Sequence, residues 1–171
     1  MSIPLALVVG GTPVVGFVLL CAVCGLLGAL VMDVPMANQE HGYMPAYVAA
    51  STLLRRAPGE VSFPAALVLH HVTGAVAGGL YATVYLAFGL AAVTLAVPGI
   101  PLGGVAAVPH ALATVLVSGF IYAFFAHLVL PRAGRRIYEE RATAVRGQWL
   151  RSTVVFGVVL GVTVPAATTL L

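Results

Sequence analysis

Lysine is absent from this 171-residue chain, and charge of either sign is scarce. The cations are eight arginines, the acids number five, and together they make up 8% of the residues. A soluble domain carries about 25% charged residues. A larger core does not produce such a deficit; a surface facing lipid does. Cysteine is nearly absent too. Cys21 and Cys24 both lie inside an apolar run, which excludes a disulfide framework. The start of the chain lacks a basic region, and its apolar stretch is too long for a cleaved signal, so it is read as a retained span. There is no glycine-rich phosphate loop, no nucleophile elbow, no His-x-x-Glu-His and no carboxylate pair spaced for hydrolysis. The reading therefore leans away from an enzyme.

What is present is hydrophobic: 61% of the residues, with a mean hydropathy of +1.07. The net charge of +3 would suggest nucleic acid in a soluble protein. Here the arginines flank apolar runs, so anionic lipid head groups are the expected counter-charge and nucleic acid is not an expected partner. The lack of lysine, with abundant Ala, Val and Gly, suggests a GC-rich coding sequence. The expected location is a prokaryotic plasma membrane.

The charges fall in two islands. Asp33, Glu40, Arg55, Arg56 and Glu60 lie in the first; Arg132, Arg135, Arg136, Glu139, Glu140, Arg141, Arg146 and Arg151 lie in or border the second. Between them, the apolar runs predict spans at about 5–32, 64–88, 108–130 and 152–171, each near the ~20 residues that cross a bilayer. Pro13 predicts a kink in the first. Continued as one helix to Val97, the second would reach ~50 Å. A break is therefore expected near Gly89, with 90–97 a short outer helix or re-entrant piece. The run Pro98-Gly99-Ile100-Pro101-Leu102-Gly103-Gly104 is a turn signal. Pro131 predicts the stop of the third span. A short helix is expected over 45–56, and a helical middle for the second island, with Arg135–Glu139 and Arg136–Glu140 as i,i+4 pairs. Tyr43, Tyr47, Tyr138 and Trp149 suit an interfacial belt. Arg132, Arg135, Arg136 and Arg151 are the expected lipid head-group contacts. Arginine-rich loops stay on the cytoplasmic side, which puts both termini outside. The expected fold is an all-α membrane protein: one domain over 1–171, a four-span transmembrane helical bundle with two cytoplasmic segments carrying short amphipathic helices.

Candidate chemistry centres on the second span. His71, Gly74, Gly78, Tyr81 and Tyr85 share one helical face, and Gly74-x-x-x-Gly78 permits close helix approach. Gly157-x-x-x-Gly161 repeats the motif on the fourth span, and Gly25 and Gly28 give the first a small-residue face. Histidines in a span are functional candidates. His70, His71 and His127 share a depth with Asp33. Converging, they would bind a divalent metal, relay protons or supply haem ligands. The competing reading is structural hydrogen bonding. His110 lies ~25 Å along its helix from His127 and cannot share that site. Cys21-Ala22-Val23-Cys24 is a C-x-x-C by letters only, in surroundings that disfavour a thiolate. Two functions remain open. One is a non-enzymatic accessory or assembly subunit, or a small permeation unit, acting as a homo-oligomer or in a larger membrane complex. The other is a haem- or metal-binding redox subunit.

Overall fold

The computed structural model describes residues 8, 9, 11–97, 99–133 and 135–170, with the side chains of 8, 133 and 135–138 excepted. The expected start of the first span at 5–7, the Arg135 and Arg136 pairs and the Tyr138 side chain lie outside the described residues.

Among the described residues, four helices are long and apolar enough to cross a membrane. A two-residue ladder, β1 (Val8–Val9) with β2 (Thr12–Pro13), leads into α1 (Val14–Ala37). Pro13 therefore does not kink the first helix. It precedes the helix with φ −55° and ψ 146°, and Gly11 turns the hairpin at φ +86°. At the other end α1 runs on through Asp33, Val34 and Pro35, beyond the boundary expected at Met32. Pro35 lies two residues from the helix end, so little helix follows the distortion a proline imposes. Asp33 is thus a helical residue.

The short helix α2 (Met44–Leu54) starts with Pro45 in its first turn and ends on Arg55 in the left-handed region. Arg55 and Arg56 consequently lie past the helix, not within its last turn. A 3₁₀ turn (Pro58–Glu60) leads to α3 (Phe63–Thr94). The expected break near Gly89 does not occur. α3 continues for 32 residues, ~48 Å, so it tilts within the bilayer or projects beyond it. An isolated glycine lowers helix propensity by only ~1 kcal/mol, too little to stop a long apolar helix. The chain leaves α3 at Leu95, with Ala96 at φ +50°.

A second ladder, β3 (Pro101–Leu102) with β4 (Val105–Ala106), occupies the predicted turn and leads to α4 (Ala107–Ala123). A π-helical segment (Phe124–Val129) follows, then α5 (Leu130–Ala133). Pro131 does not end the helix. The turn ahead of it widens: the Leu130 N–H reaches back to the Phe125 carbonyl, one residue further than in an α-helix. Widening relieves the clash between a proline ring and the carbonyl one turn back. The last helix, α6 (Arg135–Thr168), begins in the charged segment and is interrupted at Arg141 (φ −132°, ψ 27°). The ion pair of Arg141 with Glu40, at 3.0 Å, ties this interruption to the loop after α1. Both partners are more than half exposed, so the pair orients more than it stabilises.

α1 packs on α3 and α6, and α4 packs on α3 and α6, which closes a four-helix ring. Both ladders lie at one end and α2 at the other. The α1–α3 seam is backbone on backbone. A side chain at Gly25 would strike the Gly74 carbonyl, and one at Gly78 would strike the Cys21 carbonyl. At the α4–α6 seam Gly157 faces Ser118 and Gly161 faces Thr114. Small residues serve here because lipid supplies no hydrophobic drive, so helix contact relies on close van der Waals packing. Phe17, Tyr81, Phe156 and Leu160 fill the centre.

Candidate functional site

Two polar arrangements and one apolar cavity lie within the ring. The first is at the α2 end. His71 Nε2–H donates to Asp33 Oδ2 at 2.7 Å, and His70 Nε2–H donates to the Ala29 carbonyl at 3.1 Å. His70 Nε2 also stands 3.7 Å from Asp33 Oδ1. The nitrogen and oxygen donors of Asp33, His70 and His71 all lie within 4.8 Å of one another. Adjacent residues on a helix diverge by ~100°. Asp33 on the neighbouring helix lies between the two rings, and both reach it. Asp33 Oδ1 is buried and, among the described residues, has no hydrogen-bond partner. A buried carboxylate oxygen left unpaired is costly, and a cation relieves it. Outside the span, burial and then the nearby Asp33 carboxylate push the Tyr43 phenol up from its ordinary value.

His70, not His71, shares the buried face of α3 with Gly74, Gly78, Tyr81 and Tyr85. His71 sits at the edge of that face, about one-fifth exposed. His127 does not join the cluster. It is exposed on the π segment with its ring against Tyr122. The widened turn alters the rotation of every residue after it relative to a regular helix, and spacing alone does not reveal that.

The second arrangement crosses the bundle nearer the hairpins. His110 is 4% exposed. Its Nε2–H donates to the Gly161 carbonyl at 3.0 Å, which leaves Nδ1 to accept the Tyr81 hydroxyl at 2.5 Å. The carbonyl only accepts, so the neutral tautomer is fixed. Tyr85 takes a parallel role: its hydroxyl accepts the Ala106 N–H at 3.0 Å. Every polar atom of the His110 ring has a partner, so the ring joins α3, α4 and α6 rather than offering a ligand. The Tyr81–His110 contact was legible only as two residues capable of hydrogen bonding, on helices joined by a short connection.

A cavity of about 220 Å³ lies between α3 and α4, above α2. Its lining includes His70, Phe120, Phe124, Phe125, Trp149 and Phe156. Trp149, expected at the interface, is 6% exposed and packs on Phe125 at 5.2 Å between ring centroids. Cys21 and Cys24 are free and buried in the core. Arg132 donates to the Leu128 carbonyl and is exposed, as is Arg151; the Arg135 and Arg136 side chains lie outside the described residues. No family model, no curated protein and no solved structure matches the chain.

Proposed function

We propose that this small multi-pass membrane protein holds a divalent first-row transition-metal ion at Asp33, His70 and His71. The observation that supports this is the set of three donors within 4.8 Å of one another, one carboxylate oxygen of which is buried and unpaired. Two imidazoles and a carboxylate suit zinc, manganese, iron or cobalt rather than calcium or magnesium. Ligand atoms held ~2.1 Å from one tetrahedral ion stand ~3.4 Å apart, so donors up to 4.8 Å apart would draw together by up to about 1.4 Å on binding. His70 would exchange the Ala29 carbonyl for the ion. Haem is disfavoured: His70 and His71 are neighbours on one helix, both turned to Asp33, and do not flank a plane.

In this reading the protein is a metal-holding accessory subunit, not a pore. The ring interior is filled by Phe17, Tyr81, Phe156 and Leu160, so a permeation path would need several copies. Three protein donors leave the ion open to water or to a further ligand, which a second copy or a larger membrane complex would supply. The arginine distribution supports an α2 end facing the cytoplasm of a prokaryotic cell. The lipid bilayer is the remaining partner.

The test is titration of chelator-stripped protein, bearing a tag without histidine, with Co²⁺ and Zn²⁺. One ion per chain and a cobalt absorption band are expected. Asp33→Asn and His71→Ala should each weaken binding at least ~10-fold, while His127→Ala leaves it unchanged. Equal binding by Asp33→Asn and the parent would refute the assignment.

A further inference from the structure

The cavity between α3 and α4 has features that the metal reading does not use. Its mouth is formed by Val76, Leu80, Phe120 and Phe124, which are 66%, 39%, 53% and 40% exposed on two membrane-crossing helices. Anything entering therefore comes sideways from the bilayer, not from water. Its walls carry five aromatic rings, those of Phe120, Phe124, Phe125, Phe156 and Trp149. Flat rings pack against flat rings by offset or edge-to-face contact. The π segment carries two of them. Such widened turns are often found at functional sites, and here Phe124 and Phe125 at its start both line the cavity.

One wall residue also brings an unmet polar demand. The Trp149 indole N–H is buried and, among the described residues, has no hydrogen-bond partner. Buried donors are almost always paired, and an exception calls for an explanation such as a bound group. An indole N–H only donates, so the missing partner is an acceptor. His70 adds a second polar side chain to the same lining. The volume, about 220 Å³, exceeds the ~150 Å³ of an engineered cavity that admits benzene. It suits one substituted ring with its tail left in the lipid.

We propose that this cavity binds a lipid-soluble molecule with a flat conjugated ring bearing a carbonyl, of the quinone class, admitted laterally between α3 and α4. A plain acyl chain would satisfy the apolar walls but not the indole N–H. The proposal does not depend on a metal ion at Asp33.

Trp149 is the sole tryptophan, so fluorescence excited selectively at tryptophan reports on a residue of this cavity wall. Chelator-stripped full-length protein in nanodiscs would be titrated with a benzoquinone carrying a decyl tail. Saturable quenching at micromolar ligand is expected. Ala49→Phe places a ring in the cavity from α2 and should weaken binding at least ~10-fold. Trp149→Phe keeps an aromatic wall and removes the donor; equilibrium dialysis should show a ~10-fold loss. Phe124→Ala, at the exposed mouth, gives a second variant whose weakened binding is expected should Ala49→Phe fail to fold. Quenching that rises without saturation, or that matches the parent in folded Ala49→Phe or Phe124→Ala, overturns the proposal. Full displacement by equimolar palmitate overturns it as well, and identifies an acyl-chain groove instead.

Discussion

Gly78 and Gly79 are adjacent on one helix, yet alanine should act on them in opposite directions. A Cβ at Gly78 would strike the Cys21 carbonyl oxygen and come within 2.8 Å of the carbonyl carbon and 3.0 Å of the Ala22 Cα. These are backbone atoms, which cannot swing aside. To restore ordinary contact with that oxygen, α1 must retreat from α3 by about an ångström or more. A gap of that size forfeits about half of each dispersion contact across the seam. Overpacking typically costs 1–3 kcal/mol, and the seam through Cys21, Gly25, Gly74 and Gly78 puts Gly78→Ala at about 2–3 kcal/mol destabilising. At Gly79 a Cβ meets nothing within 4 Å, and alanine is favoured over glycine in a helix interior by up to ~1 kcal/mol. Gly79→Ala should therefore be neutral to stabilising. Gly89→Ala should behave likewise, since α3 is helical there and a Cβ at Gly89 also meets nothing within 4 Å. Unfolding in mixed micelles, followed by circular dichroism against denaturing detergent, measures all three. Equal destabilisation of Gly78→Ala and Gly79→Ala would refute the backbone-contact seam.

Tyr81→Phe removes the donor to His110 Nδ1 and should destabilise by about 1–2 kcal/mol. A double-mutant cycle with His110→Phe should give a coupling of the same sign, and a coupling of zero would remove the Tyr81–His110 bond from the account. Cys21 and Cys24 are buried in the core, so native protein should resist a membrane-permeant maleimide and react fully only after denaturation. Ready native labelling would contradict the packing of α1. For sidedness, single cysteines at Arg56 and Ile100, in a chain with both native cysteines replaced by alanine, should label from opposite sides of the membrane, the first from the cytoplasm. Both sites are exposed, and labelling from the same side would contradict a helix crossing between them.

The sequence by itself determined that this chain has four apolar helices of membrane-crossing length. Burying a charge in hydrocarbon is expensive, so the places where charge is missing declare the spans without reference to any contact. It also showed which glycines occur at close-packing intervals, because glycine is the residue that lets two backbones meet. The tertiary structure decided where the helices stop and which way they face. Pro13 read as a kink and Pro131 as a stop. Pro13 lies outside α1, and a π turn accommodates Pro131. Gly89 read as a break, but the rest of α3 holds it helical. Rotation was least legible. His70 and His71 differ by ~100° about one axis, and only contact with α1 shows that His70 is the buried ring and that Asp33 reaches both. The same holds for His127, which the π segment leaves exposed. It holds also for Trp149, whose burial in the cavity wall its residue type did not reveal. Helix rotation is set by side-chain contacts between elements far apart in the chain, and a hydropathy pattern that is apolar on every face carries no record of them.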